Sequence, residues 1–174
     1  MRLNDMSRLG VSLVGFVVAV LLFGGCGSDD ELIGIQMPYR YQFDVPAGLN
    51  PLNTHFFERS GLITNASLLL GNNEINRIIP YTARLTSLDN VDFGFIREIE
   101  VRVKDPDNPG LEIPVFYREE LPQNTGRNID LIATQANITD ILNKPSIDVI
   151  VEFRLYSSTG QSFQTDLQLS FLAQ

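Results

Sequence analysis

Along much of this chain apolar and polar residues alternate with a period of two, and that period constrains the fold more than any other feature. In IGIQMPYRYQFDV the odd positions Ile33, Ile35, Met37, Tyr39, Tyr41, Phe43 and Val45 are apolar or aromatic. Gly34, Gln36, Pro38, Arg40, Gln42 and Asp44 fill the even ones. Successive side chains of a strand point to opposite faces, so strict alternation predicts a strand with one buried face. Pro38 cannot donate to a ladder, which makes the segment before it an edge or a lead-in. The far end of the chain repeats the signal twice. Ile147, Val149, Val151, Phe153 and Leu155 share one face of the first run, and Phe163, Leu167, Leu169 and Phe171 share one face of the second. The glycine-containing SSTGQ between the two runs predicts a hairpin.

Residues 81–88, 96–104 and 111–118 read as three more strands, and 129–133 as a short one. DPDNPG, between the second and third of these, is built from turn formers. Two segments read as helix. NASLLLGNNEINRII, residues 65–79, predicts a short broken helix ended by Pro80. NITDILNK, residues 137–144, holds one or two helical turns with Asn137 as cap. Seven or so strands with turn signals between them predict an all-β fold. The expected form is an antiparallel two-sheet β-sandwich, immunoglobulin-like or a related Greek key, with one or two short helices. The chain has no Trp and one Cys, so a Cys–Trp–Cys core is excluded. No internal repeat and no linker follows residue 36, and residues 37–174 are expected to form a single β-sandwich domain.

A body of roughly 150 residues buries about 68–70% of the surface its unfolded chain exposes, enough for a core without disulfides or metal. The chain is 44% hydrophobic and 20% charged, which argues against intrinsic disorder. Its formal net charge is −8, and no Lys/Arg cluster interrupts the acidic field. Nucleic-acid binding needs such a cluster and is excluded. Attraction to anionic headgroups is disfavoured on the same ground, so attachment to a membrane has to come from another source.

The start of the chain supplies one. A short, weakly basic MRLNDMSR precedes the uncharged apolar run LGVSLVGFVVAVLLF, residues 9–23, and then Gly24 and Gly25. This is the layout of a secretory signal, and the run is shorter than the roughly 20 residues that span a bilayer. The lone cysteine, Cys26, follows at once in FGGC. The segment resembles the lipobox of bacterial lipoproteins, with Phe23 where that motif usually has Leu. The resemblance implies a signal peptide over 1–25 and covalent lipid, palmitate included, on Cys26. Multiple acyl chains anchor stably where one chain anchors marginally. Gly27, rather than Asp, stands next to Cys26, which by the same resemblance points to the outer membrane. Ser28, Asp29, Asp30 and Glu31 resemble the acidic export signal of surface-displayed lipoproteins in the Bacteroidota, and equally suit a solvated tether over 26–36. VPAGLNPLNTHFFE (45–58) and IIPYTARL (78–85) are similar to small uncharacterised lipoproteins of that group, a resemblance that implies an address and no activity.

The residues that carry chemistry are sparse. One histidine, His55, and one lipid-committed cysteine do not build a zinc or copper site, and His55 sits beside Phe56 and Phe57 as a packing residue. Oxygen-only calcium candidates lie on two loops, Asp105, Asp107 and Asn108 on one and Asp89, Asn90 and Asp92 on the other; both sets also suit ordinary turns. For glycoside hydrolysis two acids must face each other across a cleft. Glu119 and Glu120 are sequence neighbours that a strand sends to opposite faces, and Glu58, Glu98 and Glu100 carry no distinguishing pattern. Tyr156, opposite to Val149, Val151, Phe153 and Leu155, is a candidate exposed aromatic.

The sequence therefore points to a lipid-anchored envelope module, non-catalytic, that binds another envelope protein or an extracellular polymer such as a polysaccharide. The expected location is the outer membrane, with the surface side favoured over the periplasmic one. No cofactor is expected beyond the lipid. The alternatives are a carboxylate-dependent glycan hydrolase and a calcium-stabilised adhesin.

Overall fold

The structure, a computed structural model, describes residues 34–64 and 76–174. These form eight strands and one short helix: β1 (Ile35–Val45), β2 (His55–Ile63), β3 (Ile78–Ser87), β4 (Ile96–Asp105), β5 (Asn108–Arg118), β6 (Asn128–Ala133), α1 (Thr139–Leu142), β7 (Ser146–Leu155) and β8 (Phe163–Ala173). The strands run antiparallel in the order β1-β8-β3-β6-β5-β4-β7-β2. The fold is all-β, one eight-stranded sheet curled nearly into a barrel, with β1 and β2 as its edges. β5 joins β6 through only two residue pairs, Phe116↔Ala133 and Tyr117↔Ile132. The first strand lies beside the last, unlike the immunoglobulin order in which it lies beside the second.

Alternation sets the buried face. Met37, Tyr41, Phe43 and Val45 of β1 are buried while Arg40, Gln42 and Asp44 are exposed. The core lies between the β1-β8-β3-β6 half and the β5-β4-β7-β2 half. Phe43 of β1 meets Phe57 of β2 at 4.9 Å and Phe153 of β7 at 6.0 Å between ring centroids. Phe171 of β8 meets Phe116 of β5 at 5.8 Å. At the other end Phe93 and Phe95 close on Phe163.

Three expectations about the strands are corrected, and one strand that the alternation did not mark is added. β7 and β8 are both strands, but they are not a hairpin: β7 lies between β4 and β2, and β8 between β1 and β3. Periodicity fixes a strand's buried face and says nothing of its partner. The connection over 156–162 crosses between the halves and is held by Thr159, which is buried. Its Oγ1 donates to the carbonyl of Pro46 and accepts from the amide of Leu49, and its carbonyl accepts from the amide of Gly48. The added strand is β2, which carries no clean alternation, because a bulge between Arg59 and Leu62, with Gly61 at φ +69°, breaks it. Second, Ile78, Ile79 and Pro80 begin β3 instead of ending a helix; Pro80 sits at a bulge where a missing N–H is tolerated. The rest of that expected helix, 65–75, lies outside the described residues. Third, β1 begins at Ile35, paired with Ala173, so residues 35 and 36 belong to the sheet and not to the tether.

The short helix expected within 137–144 is present as the single turn α1, but Ile138 and not Asn137 is its N-cap; Asn137, one residue earlier, accepts at Oδ1 from both the amide and the hydroxyl of Thr139. The β4–β5 hairpin is present, closed at Asp105↔Asn108.

Candidate functional site

The two outward faces of the sheet differ in chemistry. On β5-β4-β7-β2 the polar groups are long and charged. Glu152 of β7 is buried and receives Arg102 Nη2 at 2.7 Å and Arg154 Nε at 3.2 Å. Arg102 Nε also donates to Glu100 at 2.5 Å, and Arg154 Nη1 to Glu98 at 2.9 Å. Lys104 meets Glu58 at 3.2 Å. Glu98, Glu100, Glu119 and Glu152 border one small hollow of roughly 60 Å³, well below the range of small-molecule pockets at about 300–1,000 Å³. The acids that sequence reasoning left unconnected are thus brought together, around arginines. Phe56 stands exposed on the same side.

The β1-β8-β3-β6 face carries amides, hydroxyls and Arg–Asp pairs, and it bears neither Glu nor Lys. Register lines its side chains up in rows. Arg40, Gln168, Arg84 and Asp130 stand opposite one another across all four strands, and Gln42, Asp166, Thr86 and Asn128 form the next row. The rows are tied together. Asp166 accepts from Arg40 Nε at 2.5 Å, Gln42 Nε2 at 3.2 Å and Gln168 Nε2 at 2.9 Å. Arg84 Nε donates to Asp130 at 2.6 Å and Thr86 Oγ1 to Asn128 at 3.0 Å. Burial pushes the Asp166 carboxyl up, but hydrogen bonds from Arg40, Gln168 and Gln42, with the arginine's charge, outweigh it and hold it below the usual carboxylate range. The hydrogen bond from Arg84 likewise lowers Asp130, against a smaller effect of burial. A shallow trough of roughly 410 Å³ lies along this face, bordered by Gln36, Thr82, Arg84, Asp130, Gln168 and Ser170. The sequence signal for it was the polar half of each alternation, read only as solvent-facing.

The other sequence candidates have structural partners. Asp105 takes Lys144 Nζ at 2.5 Å, and the same ammonium lies 3.0 Å from Asp107. The Lys144 hydrogen bond is the largest influence on the Asp105 carboxyl and lowers it. The loop proposed for calcium therefore already holds a cation from the chain itself, and Asn108 pairs with Asp105 in the ladder. On the second loop Asp89 accepts from the Gln164 amide, Asn90 from Arg127, and Asp92 from the Gly94 amide. Among the described residues no group of three or more His, Cys, Asp or Glu is placed to hold a metal. His55 Nε2 bonds the carbonyl of Asn50 at 2.8 Å. Tyr156 is 42% exposed. Cys26, Ser28, Asp29, Asp30 and Glu31 lie outside the described residues, as does the apolar run before them. No helix of the described residues is long and apolar enough to cross a membrane.

No protein-family model matches the chain, and no curated protein matches it. Among solved structures it is similar to a chain of desmodium yellow mottle tymovirus at 12% identity, over 80% of this chain and 87% of that one. The TM-score is 0.29, too low to support any argument from that likeness.

Proposed function

We propose that this protein is a lipid-anchored module of the bacterial envelope, non-catalytic, that binds another envelope protein or an extracellular polymer through an outer face of its sheet. Cys26 carries the lipid, residues 26–34 are the tether, and the outer membrane is the location. The architecture is a two-layer sandwich in jelly-roll order, β1-β8-β3-β6 over β5-β4-β7-β2, with the short β5–β6 pairing as the seam between layers. The observation that carries the binding role is the state of the carboxylates. Glu98, Glu100 and Glu152 are locked into arginine pairs, and Asp105, Asp130 and Asp166 are each held below their usual range. A general acid for glycan hydrolysis needs the opposite, a carboxyl raised toward neutrality.

The test is fractionation and crosslinking in cells. The wild-type chain should sediment with the envelope, resist high salt and leave it only with detergent, whereas Cys26→Ser should appear in the soluble fraction. Crosslinking of intact cells followed by mass spectrometry should recover an envelope partner or polymer fragment. Retention of Cys26→Ser in the pellet overturns the anchor, and release of new reducing ends from a glycan overturns the non-catalytic role.

A further inference from the structure

Resting on the binding role above, we propose that the β1-β8-β3-β6 face is the binding surface and that its ligand is an uncharged polysaccharide, seated in the trough beside Arg84, Asp130 and Gln168.

Four observations combine. The trough volume falls within the range of ligand sites. Three interstrand spacings give the face a width of about 14 Å, so an extended chain can lie across all four strands. The two rows of side chains set two arginines against two aspartates, so they are locally neutral on a protein of net charge −8. That balance suits a ligand without charge, while the overall field repels polyanions. The inventory mixes donors and acceptors: Arg40 and Arg84 each meet their aspartate through Nε while more than half of each arginine side chain stays exposed, so both guanidinium groups face solvent as donors. Glutamine oxygens, Asp130 and the hydroxyl of Thr82 offer acceptors. A sugar hydroxyl both donates and accepts, and only a mixed array meets it in both roles.

The contrast with the opposite face carries the choice of surface. There the outward carboxylates Glu58, Glu98, Glu100 and Glu152 are taken up by Lys104, Arg102 and Arg154, so the charges answer one another within the face. Here Gln, Asn and Thr stand beside two Arg–Asp pairs, and Asp166 ties Arg40, Gln42 and Gln168 together across β1 and β8. Side chains immobilised before binding lose less entropy when a ligand arrives. The polar ties of Asp166 to Arg40, Gln42 and Gln168 hold the floor of the face in place.

The experiment uses the full chain in neutral detergent, run on native gels cast with dextran, galactomannan or xylan, and with polygalacturonate as the charged comparator. Migration should slow in at least one neutral gel and not in polygalacturonate. Arg84→Ala should weaken retardation about tenfold, the loss expected for a hydrogen bond from a charged group, and Gln168→Ala about threefold, as for a neutral one. Phe56→Ala, on the other face, should retard like wild type. Should Arg84→Ala melt early, Arg84→Lys, which keeps the charge and loses the planar fork, should still weaken binding. Retardation in no neutral gel, retardation confined to polygalacturonate, or equal retardation by wild type and both trough variants overturns the proposal. A protein partner found by crosslinking with no glycan retardation leaves the wider binding role standing and removes this one. Cys26→Ser should retain the glycan response, so the anchor is read separately.

Discussion

Arg40 reaches Asp166 across 126 positions of sequence, with Nε 2.5 Å from Oδ1, and the arginine lies mostly open while the aspartate is 2% exposed. The contact ties the edge strand β1 to the interior strand β8 by a charged bond on the outer face. Folding holds the Asp166 carboxyl below its ordinary value of about 3.9, so it contributes stability that is fully present above that value and is lost as pH falls through the lower folded one. Asp166→Asn should flatten that acid-side slope in urea midpoints taken between roughly pH 2 and 6. Asp166→Ala should cost about 1–3 kcal/mol at neutral pH. An unchanged acid limb in Asp166→Asn would assign the slope to other carboxylates.

Glu152 presents the converse case, a covered carboxylate on the opposite face whose charge rests on Arg102 and Arg154. Arg102→Met should destabilise by about 1–3 kcal/mol, because it leaves the covered carboxylate with Arg154 as its one remaining cation. The double variant Arg102→Met with Glu152→Leu should recover most of that loss. If the double variant is no more stable than the single one, the pair contributes net attraction and this account of it is wrong.

Lys144 bridges Asp105 and Asp107 and thereby joins the β4–β5 turn to the segment after α1. Calcium in millimolar excess, or a chelator, should leave the melting temperature of wild type unchanged. Lys144→Met should lower it, because both carboxylates lose their counter-ion. A calcium-dependent rise in wild type would mean that the metal displaces the ammonium.

Gly94 packs so closely that a Cβ built there would lie 1.8 Å from the Gln123 carbonyl oxygen. Backbone has to move to admit it, and Phe93 and Phe95 flank the position, both in ring contact with Phe163. Gly94→Ala should cost about 1–3 kcal/mol in chemical denaturation. Gly160→Ala, which meets nothing within 4 Å, should be near neutral.

The strands were legible where one face is apolar throughout, as in β1, β4 and β7, or interrupted once, as by the buried Thr165 in β8. β2 was not, because only Phe57 and Leu62 of its residues pack on the core and the bulge between Arg59 and Leu62 shifts their phase. Strand partners were hidden except at β4–β5, where the turn leaves only Pro106 and Asp107 between the strands and forces neighbours together. The misread β7–β8 hairpin shows the limit: Thr159 anchors its loop to residues 46–49, more than a hundred positions away. The candidate face was invisible for a related reason. Arg40, Gln168, Arg84 and Asp130 come from four strands scattered along the chain, and only the register β1-β8-β3-β6 makes them a row.

Ile35 and Ala173 are paired, and Gln174 exchanges backbone hydrogen bonds with Arg77 beside them. Entry to and exit from the folded body therefore share one pole. A fluorophore or affinity tag appended after Gln174 would emerge next to the incoming chain, leaving the loops at 46–54, 88–95 and 156–162 unobstructed at the other. Joining the two ends and reopening the chain elsewhere should give a permuted protein with the same strand order.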